Sequence, residues 1–201
     1  IPLVYASSAA VYGNLELGDD LNSEIDLLSP YASDKYVLEI YAKIAFKSYQ
    51  LSSIGLRFFN VYGPRQDPTN PYSGVISIFV DRLLRSDKIT INGGYQTRDF
   101  IYVKDVVEAI FKSVVLAQNT VVCEQINVLT GKSVSIDELA TMLMKKIAVN
   151  VEKEYSILPA GDSERSEGTT EKMENLLNID LNDMISIDNG LSETVKFIGG
   201  G

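Results

Sequence analysis

The sequence has 201 residues, 45% of them hydrophobic, which is enough for one domain or one and a half with a packed core and sets disorder aside. Its 18 Lys and Arg against 27 Asp and Glu leave a formal net charge of −9. That argues against a nucleic-acid or anionic-membrane surface, since both need clustered cations. The absence of histidine removes Ser-His-Asp and Cys-His catalysis and zincin-type metal sites, so no metal is expected, and the lone Cys123 excludes an internal disulfide framework and fits a reducing, cytoplasmic compartment.

In chain order, residues 1–5 (Ile-Pro-Leu-Val-Tyr) read as an interior sheet strand with no cap or turn before it. The expectation is that the chain is the later part of a longer protein. The strand ends in two hydroxyls, Ser7 and Ser8, and residues 14–29 form an acidic loop with Asp19, Asp20, Glu24 and Asp26. A helix is predicted over 30–49, where Val37, Leu38, Ile40, Tyr41, Ile44 and Ala45 recur at helical spacing. A strand over 54–61 follows closely, so residues 3–60 read as a β-α-β crossover with parallel strands. Proline and glycine keep 63–74 irregular. Beyond them lie a helix over 75–85, a strand over 88–92 and a turn at Gly93 and Gly94. Residues 97–103 then lead into a helix over 104–118. A strand (125–129), a helix (136–147), a strand (151–158), a loop (159–170) and two short helices (171–177 and 188–198) complete the chain, with Gly199 to Gly201 as a flexible, non-native tail. The charges Glu108 and Lys112 interrupt the best apolar run, so no spanning helix is expected.

The strand delivers Ser8 to the carboxyl edge of a sheet, where open α/β folds bind ligands. Tyr31 and Lys35 stand four residues apart at the head of the first helix and so share a face. A phenol with a pKa near ~10 is a poor base at neutral pH, but a neighbouring cation favours the phenolate. Tyr31 can then take a proton from an alcohol while Ser8 hydrogen-bonds the same hydroxyl and a hydride leaves the carbon. No side chain accepts hydride, so a nicotinamide is implied. Taken alone, the spacing also suits an aromatic and a lysine that merely share a helix surface.

The strand followed by Ser-Ser-Ala-x-Val-Tyr-Gly (7–13), Ser-Pro-Tyr-x-x-x-Lys (29–35), Leu-Arg-Phe-Phe-Asn-Val-Tyr-Gly-Pro-Arg-Gln (56–66) and Arg-Asp-Phe-Ile-Tyr-Val-x-Asp-Val (98–106) resembles the extended short-chain dehydrogenases/reductases, and within them the NAD-dependent nucleotide-sugar epimerases and dehydratases. The match in order and spacing runs over residues 3–198. Residues 63–68, Tyr72, Val75-Ile76 and Ile91-Asn92-Gly93 look most like the UDP-N-acetylglucosamine 4-epimerase branch. The resemblance implies roles for seven residues. Tyr31 matches the catalytic base, Lys35 the lysine that lowers its pKa and holds the nicotinamide ribose, and Ser8 the hydroxyl assisting at the sugar 4-hydroxyl. Phe58 matches an aromatic lining the nicotinamide pocket. Asn60 and Arg98 match residues that bind the diphosphate, as a guanidinium can with its bidentate fork. Arg165 stands one residue from where a further phosphate-binding arginine is expected, with Glu164 in that place, and the small Ser166 leaves room for an N-acetyl group.

Two absences narrow the implied chemistry. Related dehydratases and decarboxylases carry an acid just after the strand hydroxyls, where this chain has Ala9 and Ala10, and related epimerase/reductases use a Cys and His pair. What remains is C4 oxidation, rotation of the keto sugar and hydride return. The glycine-rich G-x-x-G-x-x-G turn that would cradle the NAD pyrophosphate does not occur in the sequence. The expected fold is therefore α/β: a partial Rossmann-type, doubly wound parallel sheet lacking its N-terminal strands (1–62 and 99–119), plus a small α/β substrate-binding domain (63–98 and 120–201). The expected parent is a cytoplasmic, homodimeric NAD-dependent 4-epimerase of a UDP-hexose, UDP-N-acetylglucosamine/UDP-N-acetylgalactosamine first, of the kind that serves polysaccharide biosynthesis. The alternatives are a non-catalytic remnant or nucleotide-sugar-binding fragment, and another nucleotide-sugar oxidoreductase on the same scaffold.

Overall fold

The computed structural model describes residues 1–70, 73–159 and 161–200. Tyr72 of the quoted motifs, Ala160 beside the Gly161-Asp162 pair and Gly201 of the tail lie outside the described residues. The chain runs β1 (Leu3–Ser8), a 3-10 turn (Ala9–Tyr12), α1 (Pro30–Tyr49), β2 (Ser53–Phe58), β3 (Asn60–Tyr62), α2 (Val75–Leu84), β4 (Ile89–Asn92) and β5 (Thr97–Tyr102). It continues through α3 (Val103–Asn119), β6 (Cys123–Val128), β7 (Ser133–Ser135), α4 (Ile136–Ile147), β8 (Lys153–Ser156), α5 (Glu171–Leu177) and α6 (Ile187–Ile198).

The β-α-β crossover forms as expected, with β1 parallel to β2 and Tyr5 opposite Gly55. On the other side of β2 lies β6, also parallel, so that Ser7, Arg57 and Asn127 form one row across the sheet. The expected division assigned 120–201 to the second domain, yet it is this part of the chain that supplies the third strand of the first sheet.

Alternation along the strands gives that sheet two unlike faces. Ile54, Leu56, Ile126 and Val128 point to one side, where they pack with Val106 and Ala109 of α3 and Met173 and Leu177 of α5 in an apolar core. Tyr5, Ser7, Arg57, Gln125 and Asn127 occupy the alternate positions, towards α1. This polarity explains a departure from the apolar pattern read in α1. The helix buries Ala32, Glu39 and Ala42 against the sheet, while Leu38, Ile40, Tyr41 and Ile44 are exposed. Small residues and one carboxylate fit a polar sheet face, and the larger apolar side chains face outwards.

The strand expected over 54–61 is broken at Phe59. Its N–H still donates to Val128 O at 3.1 Å, but Asn60 to Tyr62 form β3 and leave for a second sheet, parallel to β5, with β7 antiparallel beyond it. Phe58 thus ends one sheet and Asn60 begins the next. Strands β4 and β8 pair in parallel as a separate two-stranded ribbon. A second core, built on Phe79, Val80 and Leu83 of α2, Leu139 and Leu143 of α4, and Leu191 of α6, lies under this half of the molecule.

Candidate active site

The local sequence fixes where each candidate side chain starts. Ser29 accepts the Ala32 N–H at 3.2 Å and Pro30 follows in the first turn, so α1 begins sharply and Tyr31 sits at its head. At the carboxyl end of β1, Ser8 Oγ accepts the Ala10 N–H at 3.1 Å. This holds the hydroxyl oxygen in place and leaves its own hydrogen to donate.

Six of the seven predicted residues line one cleft of about 280 Å³: Ser8, Tyr31, Phe58, Asn60, Arg98 and Arg165. Tyr31 is 54% exposed there. Lys35 stands behind the lining. Its Nζ lies 5.6 Å from the centre of the Tyr31 ring and donates to Ala6 O at 3.0 Å. Leu3 N donates to Ser52 O on the β2 side, so the alternation of a parallel ladder turns the Ala6 carbonyl to the opposite edge of β1, where Lys35 meets it.

Asn60 Nδ2 donates to Asp99 O at 3.0 Å and to Ser166 Oγ at 3.2 Å. Both amide hydrogens are engaged within the protein, so Oδ1 is what Asn60 leaves free here. Arg98 is different. One of its nitrogens donates to Thr97 O at 2.8 Å, and among the described residues it forms no ion pair. Burial pulls its guanidinium below the ordinary arginine value, only partly opposed by Asp162. A largely desolvated guanidinium with no carboxylate at ion-pair distance among the described residues is poised for an anion. Arg165 is exposed at the rim.

On the far side of Arg98 a second chamber of about 300 Å³ shares Asn60, Arg98 and Asp162 with the cleft. Ile76, Phe79 and Phe100 give it apolar walls, and Gln66 contributes a buried Oε1 with no partner among the described residues. The sequence reading missed this chamber because its walls come from five separate elements and loops.

A model of the NAD dependent epimerase/dehydratase family matches residues 1–128. The chain belongs to that family. It is 42% identical over 156 residues to a putative UDP-glucose 4-epimerase of Methanocaldococcus jannaschii, covering 76% of this chain and 49% of that protein. With the UDP-glucose 4-epimerase of Mycolicibacterium smegmatis it shares 31% identity over 196 residues, 96% of this chain and 60% of the other. Among solved structures, the UDP-N-acetylglucosamine 4-epimerase of Methanobrevibacter ruminantium in complex with UDP-N-acetylmuramic acid superposes with a TM-score of 0.86 at 32% identity, over 98% of this chain and 63% of that one. The chain thus spans about half to two thirds of the length of these epimerase/dehydratase family relatives. Among the described residues no helix is long and apolar enough to cross a membrane.

The largest omission of the sequence reading is a buried set of hydrogen bonds behind the cleft. Glu39 and Arg57 are 0% and 4% exposed and pair through two contacts, Nε to Oε1 at 2.8 Å and Nη2 to Oε2 at 2.6 Å. The signal was present. Glu39 is one turn beyond Lys35 and two beyond Tyr31, and Arg57 is a lone charge inside an otherwise apolar strand.

Proposed function

We propose that this chain carries the sugar-binding and proton-transfer part of an NAD-dependent 4-epimerase acting on a UDP-hexose, with N-acetylated hexoses as the preferred sugars. The observation that carries this reading is the convergence on one cleft of a serine, a tyrosine and two arginines, with a chamber for a base beyond Arg98. The diphosphate lies against Arg98 at the junction, and Arg165 approaches from the rim. The hexose then lies towards Ser8 and Tyr31, and Ser166, tied to Asn60, bounds it from the opposite wall.

Tyr31 accepts the proton of the sugar 4-hydroxyl, and Ser8 holds that hydroxyl in line. After the 4-keto sugar turns over, Tyr31 returns the proton to the oxygen on the other face. Lys35 places a positive charge 5.6 Å from the centre of the Tyr31 ring. NAD, when bound, would supply the acceptor and donor of the C4 hydride. The residues fit its nicotinamide end, with Tyr31 and Lys35 on one helix face and Phe58 in the wall. A glycine-rich turn for its pyrophosphate is not in this sequence. A second copy of the chain is the partner proposed for the exposed face of α1.

Calorimetric titration with UDP and UDP-hexoses tests the binding half of the reading. UDP binding is expected, and Arg98→Ala should weaken it roughly 10- to 100-fold, as loss of a charge-assisted contact would. No binding of UDP or UDP-hexose would overturn the proposal. The displacement of Arg165 by one residue, with Glu164 in the expected arginine's place, favours a second reading, a nucleotide-sugar-binding module without turnover. Its signature is UDP binding with no NAD binding. Joining the chain to the amino-terminal part of the M. jannaschii relative and assaying C4 inversion then separates the two.

A further inference from the structure

The Glu39 and Arg57 pair does not end at the helix. Ser7 Oγ donates to Glu39 Oε1 at 2.6 Å, which fixes the strand next to Ser8. Arg57 Nη1 donates to Tyr12 Oη at 2.7 Å and the guanidinium carbon lies 4.8 Å from the centre of the Tyr12 ring. Tyr12 in turn donates to Asn127 Oδ1 at 2.7 Å. Asn127 Nδ2 donates to Gly18 O at 2.9 Å and Thr169 O at 3.2 Å, and its backbone N–H donates to Asp20 at 2.7 Å. Gly18 and the 167–169 segment are stitched together by Gly18 N to Glu167 O and Thr169 N to Gly18 O. A continuous path, buried as far as Asn127 and Gly18, therefore runs from the helix that carries Tyr31 and Lys35 to the segment that carries Arg165 and Ser166.

We propose that Arg57 is a positioning residue which, through Glu39 on one side and Tyr12 and Asn127 on the other, sets the two walls of the cleft at a fixed separation and so governs nucleotide-sugar affinity. The ligand part of this inference rests on the function proposed above, and the positioning part does not.

The chemistry suits the task. A guanidinium is planar and offers five donors in a rigid fork, so it can hold a carboxylate and a phenol in one plane. Burial alone would pull the Arg57 guanidinium down, but Glu39 and Tyr12 more than offset this and hold it above the ordinary arginine value. Burial pushes the Tyr12 phenol up to about 12, so at neutral pH it keeps the proton it donates to Asn127. Each link is directional, and an apolar contact of similar area would let the walls slide.

Tyr12→Phe tests this with the least disturbance, since it keeps the ring and the Glu39 pair and removes only the hydroxyl bridge. Under amide hydrogen exchange the Gly18 and Thr169 amides should exchange at least about 10-fold faster, while those of Leu56 and Ile126 stay within about two-fold. Arg57→Lys should reproduce the pattern, because one ammonium cannot serve both Glu39 and Tyr12. If that variant does not fold, Tyr12→Phe decides alone. Uniform acceleration across all four amides, or none, would overturn the proposal, since the hydroxyl would then be an ordinary core contact.

The second arm is UDP affinity in a double-mutant cycle. Tyr12→Phe and Arg165→Ala should each weaken binding about 5- to 10-fold, and the double variant should be little weaker than either, because both act through one wall. Additive losses would sink the coupling to that wall. Should the unaltered chain bind no UDP, the proposed function fails and the exchange pattern alone rules on the positioning role.

Discussion

Lys35 and Tyr31 show what a spacing rule can and cannot convey. Four residues of separation place both on one helix face, which the structure bears out, but the seat of the ammonium on the Ala6 carbonyl depends on the strand edge beside it. Asn60 is a similar case. Its place at the end of a strand was legible, whereas the use of both amide hydrogens on Asp99 and Ser166 was not, because those partners are 39 and 106 residues away. For the reaction, Tyr31→Phe should lower C4 inversion at least about 100-fold in the joined protein with UDP affinity within about three-fold, since only the proton acceptor is lost. Parallel turnover and calorimetric measurements check this. Asp20 offers a test by pH. Burial raises its carboxyl above the ordinary range, against the pull of the Asn127 N–H, Lys172 and Thr169. The folded state then binds this proton more readily than the unfolded chain. Stability from this group is therefore fully present below the unfolded value near about 3.9 and is lost as pH rises through the folded pKa. Urea denaturation from about pH 4 to about pH 7 should show the wild type losing stability relative to Asp20→Asn as pH rises.

At the level of elements, boundaries set by caps and turns were readable and those set by tertiary partners were not. Helix α4 matches its predicted span because Ser135 and Glu138 form a reciprocal capping box, with the Glu138 N–H donating to Ser135 Oγ at 3.1 Å and the Ser135 N–H to Glu138 at 2.9 Å. Ser135→Ala should cost about 1 kcal/mol, measured as a lowered denaturation midpoint. The break at Phe59 left no trace in composition, because an apolar run reads as one strand whether or not its hydrogen bonds change partners half-way. In α1 the apolar spacing was real, but spacing does not say which side meets the sheet, and the sheet presents Arg57, Tyr5 and Asn127 to the helix. Gly55 belongs to the same face. A Cβ there would stand 2.6 Å from the Tyr5 ring, so Gly55→Ala should destabilise the protein by about 1 to 3 kcal/mol through overpacking, visible as a lower melting temperature.

Over the whole molecule, the β-α-β crossover was legible in the alternation of strand and helix and the Rossmann-type class in the family resemblance, while the return of β6 to the first sheet was not, because strand order is decided by packing that no local pattern records. The exposed side of α1 is a property at this scale. If a second copy covers it, sedimentation velocity should show a concentration-dependent dimer, and Tyr41→Glu with Ile44→Glu should return the monomer; a monomer at every concentration would refute that partner. The unlike faces of the β1-β2-β6 sheet carry a further consequence. Among Ile54, Leu56, Ile126 and Val128, exchange of one aliphatic for another of similar bulk is a matter of refitting volume. At Ser7, Arg57 and Asn127, no isosteric substitute keeps the same donors and acceptors. Exhaustive substitution of the three strands should accordingly give a tolerance map that alternates residue by residue, permissive in the register of Leu56 and Ile126 and intolerant in that of Ser7, Arg57 and Asn127.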